Sequence, residues 1–293
     1  MPSLKDIRNR IGSVKNTKKI TSAMKMVAAA KLRRAQEAVE SARPYASKMT
    51  EVIQELSSRV EEDAHPLLRS PEREDKILVI VCTSNRGLCA GFNANLLRAV
   101  DRFLAAKHGV TSSIEIVTVG RKGNQHFTRK GENITRYHDD VVGNVTLASA
   151  KEIAREPMER FAKGEIDHVY LVYNEFVSAI QFNQIIAPLL PLNKEGSEDD
   201  AQEDKGGEEY IYEPSETELL AQLVPNSIEV RIFQALLESE AAEQGSRMTA
   251  MDNATSNAEE MIDKLTLQYN RARQAYITKE LVEIVSGAES LNG

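Results

Sequence analysis

Positions spaced alternately three and four apart from Leu4 read Leu4, Ile7, Ile11, Val14, Lys18, Thr21, Lys25, Ala28, Leu32, Ala35, Val39, Ala42, Ala46, Met49, Ile53, Leu56 and Val60. A stripe with a period of about 3.5 residues is the seam of a left-handed coiled coil, and only Lys18, Thr21 and Lys25 interrupt it. No proline lies between Ser3 and Pro44. Ser3 suits the cap, and Pro44 bends a helix without having to end it. The pattern predicts a helix from about residue 3 to about residue 58, roughly 80 Å long at about 1.5 Å per residue. That exceeds the width of a compact domain of this chain length, so part of the helix is expected to project.

A matching stripe closes the chain: Leu237, Ala241, Gln244, Met248, Met251, Thr255, Ala258, Ile262, Leu265, Tyr269, Ala272 and Tyr276, with Gln244 and Thr255 polar. No proline follows Pro225. A second helix is therefore expected from about Ile228 to Val285, stopped by Gly287. Two helices of similar length and stripe pair most simply as an antiparallel coiled coil. Alanines 23, 28, 29, 30, 35, 38, 42 and 46 on the first helix allow close approach.

Between the helices lie three short β-branched runs bounded by turn signals, Lys76–Cys82, Ser113–Val119 and His168–Asn174. Helical patterns over Asn93–Lys107 and Leu147–Lys163 separate them, and a further strand is read through Glu175–Ile186. Alternating strands and helices predict a small α/β, Rossmann-like domain inserted between the coiled-coil helices. From Asn193 to Glu218 eleven carboxylates face only Lys194 and Lys205, the composition of a solvated connecting loop. The expected divisions are 1–60, N-terminal helix; 61–192, α/β domain; 193–218, acidic loop; and 219–293, C-terminal helix.

The net charge of -7 conceals an asymmetry. Residues 5–34 carry ten lysines and arginines against Asp6 alone, a local +9 that leaves -16 for the rest. A cationic helix on an acidic chain calls for an acidic neighbour: nucleic acid, an anionic membrane surface or an acidic protein. No run approaches the roughly 20 apolar residues of a membrane span, and Met1–Asp6 has no apolar signal core, which together predict a cytosolic protein. Cys82 and Cys89 share one apolar stretch and read as small buried residues. The five histidines show no metal-ligand spacing, and neither metal nor cofactor is expected.

One loop imitates a phosphate cradle. Ser84–Asn93 follows a strand and precedes a helix, with Gly87 and Gly91 able to bare backbone N–H groups to an anion. Its spacing matches neither nucleotide-binding fingerprint, and no lysine follows. A tight turn with a helix cap is the simpler reading. Glu280 and Glu283 lie three apart on one helix face, but no nucleophile, base and orienting group occur together. That face reads as solvated or partner-bound.

The run Ala272–Ala288 resembles the signature of the gamma subunit of F-type ATP synthase, and so, in the same order, do Ile20–Leu32, Asn85–Cys89, Tyr212–Pro214 and Arg247–Met251. The resemblance spans nearly the whole chain. It implies a non-catalytic rotor shaft in a proton-transporting complex for ATP synthesis or hydrolysis, on the cytoplasmic face of the bacterial inner membrane. The implied partners are three alpha and three beta subunits, the epsilon subunit and the membrane c-ring. It places Arg273, Gln274, Thr278, Glu280 and Glu283 against the catch loops of beta and Met24 and Lys25 against the lever of beta. Tyr210, Tyr212 and Glu213 fall at the foot that meets epsilon and the ring. Photosynthetic members carry a regulatory dithiol near the acidic loop; residues 193–218 hold no cysteine, so thiol switching is not expected. The competing readings are a basic coiled-coil protein that grips nucleic acid and a nucleotide-dependent α/β enzyme. The first lacks aromatics among its basic residues and the second lacks a phosphate loop.

Overall fold

The computed structural model describes residues 3–59, 65–71, 73–192 and 215–291. The chain divides into two compact units, Met1–Ala28 with Arg247–Gly293, and Ala29–Ser246. Two helices run through both: α1, Leu4–Arg59, and α5, Glu216–Leu291.

In the first unit α1 and α5 pair antiparallel. Lys18 meets Glu259 and Lys25 meets Asp252, so positions advance by seven on one helix as they fall by seven on the other. Ile7, Thr21, Ala28, Met251, Ala258 and Leu265 are buried, and each belongs to an expected stripe. Ser3 and Asp6 cap α1 reciprocally, the Ser3 hydroxyl accepting from the Asp6 N–H at 3.2 Å and the Asp6 carboxylate from the Ser3 N–H at 3.1 Å. The Ser3 hydroxyl also donates to the Asp6 carboxylate at 2.8 Å, and that bond foremost, then the one from the Ser3 N–H, holds the Asp6 carboxyl below its ordinary range.

The second unit is built on a five-stranded sheet ordered β3-β2-β1-β4-β5. Its strands are β1 (Lys76–Cys82), β2 (Ser113–Val119), β3 (Ile134–His138), β4 (His168–Ser178) and β5 (Gln181–Leu190). The first four run parallel and β5 returns antiparallel to β4. Strand β1 sits at the centre with Ile77 to Cys82 all buried, because a parallel strand covered on both faces needs apolar residues on both. Helices α2 (Phe92–Lys107) and α3 (Arg121–Lys130) cover one face through Leu96, Val100, Leu104 and Phe127. Helix α4 (Leu147–Ala162) and the second-unit parts of α1 and α5 cover the other, through Ile153, Phe161, Leu56, Leu220, Val224, Ile228 and Ile232.

Several expectations are corrected. Helix α5 begins at Glu216, well before Ile228, and passes through Pro225. An interior proline costs a helix about 3 kcal/mol, but Leu220, Val224, Ile228 and Ile232 are fully buried on one stripe and their packing holds the segment helical. Nor does Gly287 stop α5, which continues to Leu291. The segment read as one strand over Glu175–Ile186 is a hairpin that turns at Ala179–Ile180. Helix α3 and strand β3 had no expectation at all. The acidic stretch 193–214 lies outside the described residues.

Two glycines permit close backbone approaches. Gly120 has φ +92°, and a Cβ there would lie 2.1 Å from the Thr83 carbonyl oxygen. Gly245, inside α5, lets the backbone of Ala179 at the hairpin tip come within 3.0 Å of where a Cβ would stand. The cost of a mid-helix glycine, about 1 kcal/mol, is accepted for that contact.

The second unit also buries the charge of Glu238. The Glu238 side chain is 3% exposed and accepts from Arg43 Nε at 3.1 Å, Arg43 Nη2 at 2.9 Å and the Phe176 N–H at 3.0 Å. It thereby ties α1, α5 and β4 together. Removing the guanidinium leaves a buried carboxylate without its cation. Arg43→Ala is expected to lower stability by about 2 kcal/mol, the modest figure reflecting an arginine that is half-exposed. Adding Glu238→Gln should recover part of the loss in thermal unfolding, since a neutral amide keeps an acceptor without the charge.

Candidate functional site

The paired helices end unequally. Arg8 donates to the Tyr269 hydroxyl at 2.8 Å and its guanidinium lies 5.7 Å from the centre of that ring. From Arg273 to Gly287 every residue of α5 is exposed. Tyr276, Ile277, Leu281, Val282, Ile284 and Val285 are among them, each 46% to 67% open to solvent. A single helix in water is marginal at this length, and an apolar surface of this kind marks a site for a partner.

The five residues expected at the catch, Arg273, Gln274, Thr278, Glu280 and Glu283, all lie on this segment and are exposed. Thr278 returns its hydroxyl to the Gln274 carbonyl at 3.0 Å, and Glu283 stands 3.5 Å from Lys279. Glu280 accepts from Tyr276, whose phenol pKa rises as a result. Arg273, Gln274, Thr278, Glu280 and Glu283 are thus brought onto one helix end, with their polar groups directed to solvent or near neighbours. Met24 and Lys25 lie elsewhere, half-buried along the seam. The Lys25 ammonium is 2.6 Å from Asp252, so it is engaged within the chain. Tyr210, Tyr212 and Glu213 lie outside the described residues.

A second exposed apolar group went unread in the sequence. Ile20, Met26 and Val27 on α1 are 58% to 65% open, with Ala23 and Ala30 also exposed. Ile20, Ala23, Val27 and Ala30 follow the three-and-four spacing on the side away from the seam. Lys5, Arg10, Lys15 and Lys19 are exposed on the same helix. A stripe search on outward positions would have found this ridge.

The loop after β1 occupies the place where doubly wound sheets hold ligands, at the strand ends where the order reverses. Here three side chains of the loop and its flank bind backbone donors around it. The Ser84 N–H goes to Asn93 Oδ1 at 3.0 Å, the Arg121 N–H to Asn85 Oδ1 at 2.8 Å and the Gly123 N–H to Thr83 Oγ1 at 2.9 Å. Asn93 donates on to Ser84 Oγ at 2.7 Å and Cys89 Sγ at 3.2 Å. Cys82 and Cys89 are buried and not joined in a disulfide, and burial pushes the Cys82 thiol up to about 12. Among the described residues no group of His, Cys, Asp and Glu is arranged to hold a metal ion, and no helix is long and apolar enough to cross a membrane. Purified protein is expected to show no saturable ATP binding in the micromolar range. Binding abolished by Gly91→Val, which would set a Cβ 2.8 Å from the Asn95 amide, would contradict this.

Long paired helices from the two chain ends, joined through a small mostly parallel sheet, are matched by known proteins. A family model described as ATP synthase fits residues 3–291. The chain is 50% identical over 294 residues to the ATP synthase gamma chain of Anaeromyxobacter dehalogenans strain 2CP-1, covering 99% of this chain and 100% of the relative. It is 49% identical over 293 residues to that of Geobacter sp. strain M21, covering 100% of both. The rotor of the Euglena gracilis mitochondrial ATP synthase superposes with a TM-score of 0.65 at 21% identity, over 94% of this chain and 98% of that one, a likeness of fold. The chain is thus a subunit of the ATP synthase class. It belongs to the ATP synthase gamma chain family.

Proposed function

We propose that this chain is the central rotor shaft of an F-type ATP synthase, without catalytic chemistry of its own. It turns inside a ring of three alpha and three beta subunits while coupled to the epsilon subunit and the membrane c-ring. The observation that carries the reading is the unaccompanied end of α5, where fifteen consecutive exposed residues mix an apolar surface with Arg273, Gln274, Thr278, Glu280 and Glu283. Such a segment suits a sleeve that shields its apolar side and offers polar loops to its charged side.

Because one helical pair faces three beta subunits, each beta meets a different side of it. Contacts that differ between sides bias the three nucleotide sites toward different affinities, and turning the pair exchanges those biases in order. Proton flow through the membrane sector drives the turning in synthesis, and ATP hydrolysis reverses it. Met24 and Lys25 are assigned to the lever of beta, where Lys25 would exchange Asp252 for an acidic partner; Tyr210, Tyr212 and Glu213 are assigned to the foot. The protein is peripheral, on the cytoplasmic face of the inner membrane. Nucleic-acid binding has weaker support, because Lys18 and Lys25 are engaged with carboxylates of α5.

The test is assembly. Tagged chain expressed in its own cells should purify with alpha and beta in the ratio of one to three of each, and the complex should hydrolyse ATP. Recovery of the tagged chain free of both, or with nucleic acid, would reject the proposal.

A further inference from the structure

The seam of the first unit is apolar at Ile7, Ile11, Val14, Ala258, Ile262 and Leu265, and its polar break, with Lys18 and Lys25 to either side, centres on Thr21 and Thr255. There the Thr255 hydroxyl donates toward Thr21 Oγ1 at 2.8 Å and lies 2.7 Å from the Met251 carbonyl oxygen, while the Thr21 hydroxyl donates to the Lys18 carbonyl at 3.1 Å. Half a heptad away on either side stand the ion pairs Lys18–Glu259, at 2.7 Å, and Lys25–Asp252, at 2.6 Å. Thr21 is 9% exposed, so its hydroxyl needs a partner. We propose that the Thr21–Thr255 layer is a register lock that selects one antiparallel alignment of α1 and α5, and so fixes how far α5 extends past the start of α1.

Arg43 and Glu238 already tie the same two helices within the second unit; along the first unit the apolar seam adds no selection of its own. Sliding α5 by one heptad sets apolar stripe on apolar stripe again, because both repeat every seven residues. The ion pairs discriminate only partly. In one slipped alignment Lys25 faces Glu259, and in the other Lys18 faces Asp252, so each slip keeps one pair. Both pairs are also well exposed, with lysines at 35% and 42% and carboxylates at 61% and 52%, where solvent screening leaves them weak. The threonine layer is different. One slip sets Thr21 against Ile262 and Thr255 against Ala28; the other sets Thr21 against Met248 and Thr255 against Val14. Either way the two hydroxyls keep only the carbonyls of their own helices, Lys18 and Met251, and lose the bond between helices against apolar neighbours, the kind of cost by which a polar layer specifies register in a coiled coil.

The consequence for the exposed end of α5 rests on the proposed shaft role; the alignment itself does not, and it is read on the full-length chain alone. With Cys82 and Cys89 replaced by alanine, Val14→Cys/Ile262→Cys reports the native alignment. Val14→Cys/Tyr269→Cys and Ile7→Cys/Ile262→Cys report the two slips. Under mild oxidation the parent should cross-link at the native pair at least tenfold faster than at either slipped pair. In Thr21→Val/Thr255→Val the helical circular dichroism should persist while that preference falls to about twofold or less, and Thr21→Ser/Thr255→Ser should restore it. An unchanged preference in the valine variant would overturn the proposal. So would loss of helical signal, because the layer would then be a general stabiliser and not a selector. Should the preference fall as expected while the chain fails to assemble with alpha and beta, the lock stands and the shaft role falls.

Discussion

Replacing Leu265 with aspartate is expected to prevent stable pairing of α1 with α5. Leu265 is 8% exposed in the middle of the first unit's seam. Truncating a buried leucine costs about 2 to 5 kcal/mol, and here a carboxylate with no cation designed to meet it enters an apolar layer. The ionised form is disfavoured there, so the penalty grows as pH rises above the ordinary carboxylate range. At pH 7 the variant should unfold cooperatively at a temperature lower by ten degrees or more, and little of it should be recovered in complexes with alpha and beta. Unfolding and assembly like the parent would show that the register drawn through Leu265 is wrong.

Glu280→Ala is expected to do the opposite, leaving the fold intact and slowing the machine. Glu280 is exposed and its resolved partner is the nearby Tyr276 hydroxyl, so removing it takes nothing from the seam. If it meets a polar loop of beta shielded from water, losing one charge-assisted hydrogen bond should slow coupled turnover about tenfold. The measurement is ATP synthesis and hydrolysis by assembled complexes, with thermal unfolding of the lone chain as control. Equal turnover in parent and variant would remove Glu280 from the catch. A lowered unfolding temperature would make it structural.

The contrast between these two residues follows what the sequence makes visible. Seam positions such as Ile7, Ala28, Met251 and Leu265 are legible because each repeats at the spacing of a helix meeting a helix, and all four are buried. Tyr276 continues the same stripe yet is 53% exposed, because a period records what a side chain is suited to meet and not whether a partner is present in the same chain. The break at Lys18, Thr21 and Lys25 was visible as three polar residues. Its meaning was not, since Glu259 and Asp252 lie beside the α5 stripe and only pairing brings them to the lysines.

Elsewhere tertiary context decides. Helix α3 buries only Gly123 and Phe127 and is polar over most of its length, too little for a periodic signal, and Gly123 is there because a Cβ would crowd the Thr83 side chain at 3.0 Å. Strand β3 is five residues with a register irregularity against β2. Pro225 marks a helix end by local rules, and buried leucines and isoleucines around it override that signal. The loop after β1 looked like a phosphate cradle because glycines between strand and helix are common to cradles and tight turns; the side chains of Asn93, Asn85 and Thr83 bind the Ser84, Arg121 and Gly123 N–H groups and so tie the loop to the helices beside it.

The central claim is that this chain turns within its partners. Val110 is 73% exposed on the second unit, so Val110→Cys can carry a bead, while Cys82 and Cys89 are buried and shielded from labelling. Complexes of the labelled chain with alpha and beta should be fixed to a surface through beta and supplied with ATP. The account predicts continuous rotation of the bead in one direction, with three pauses per turn, one for each beta. Steady ATP hydrolysis under a bead that does not rotate would contradict it.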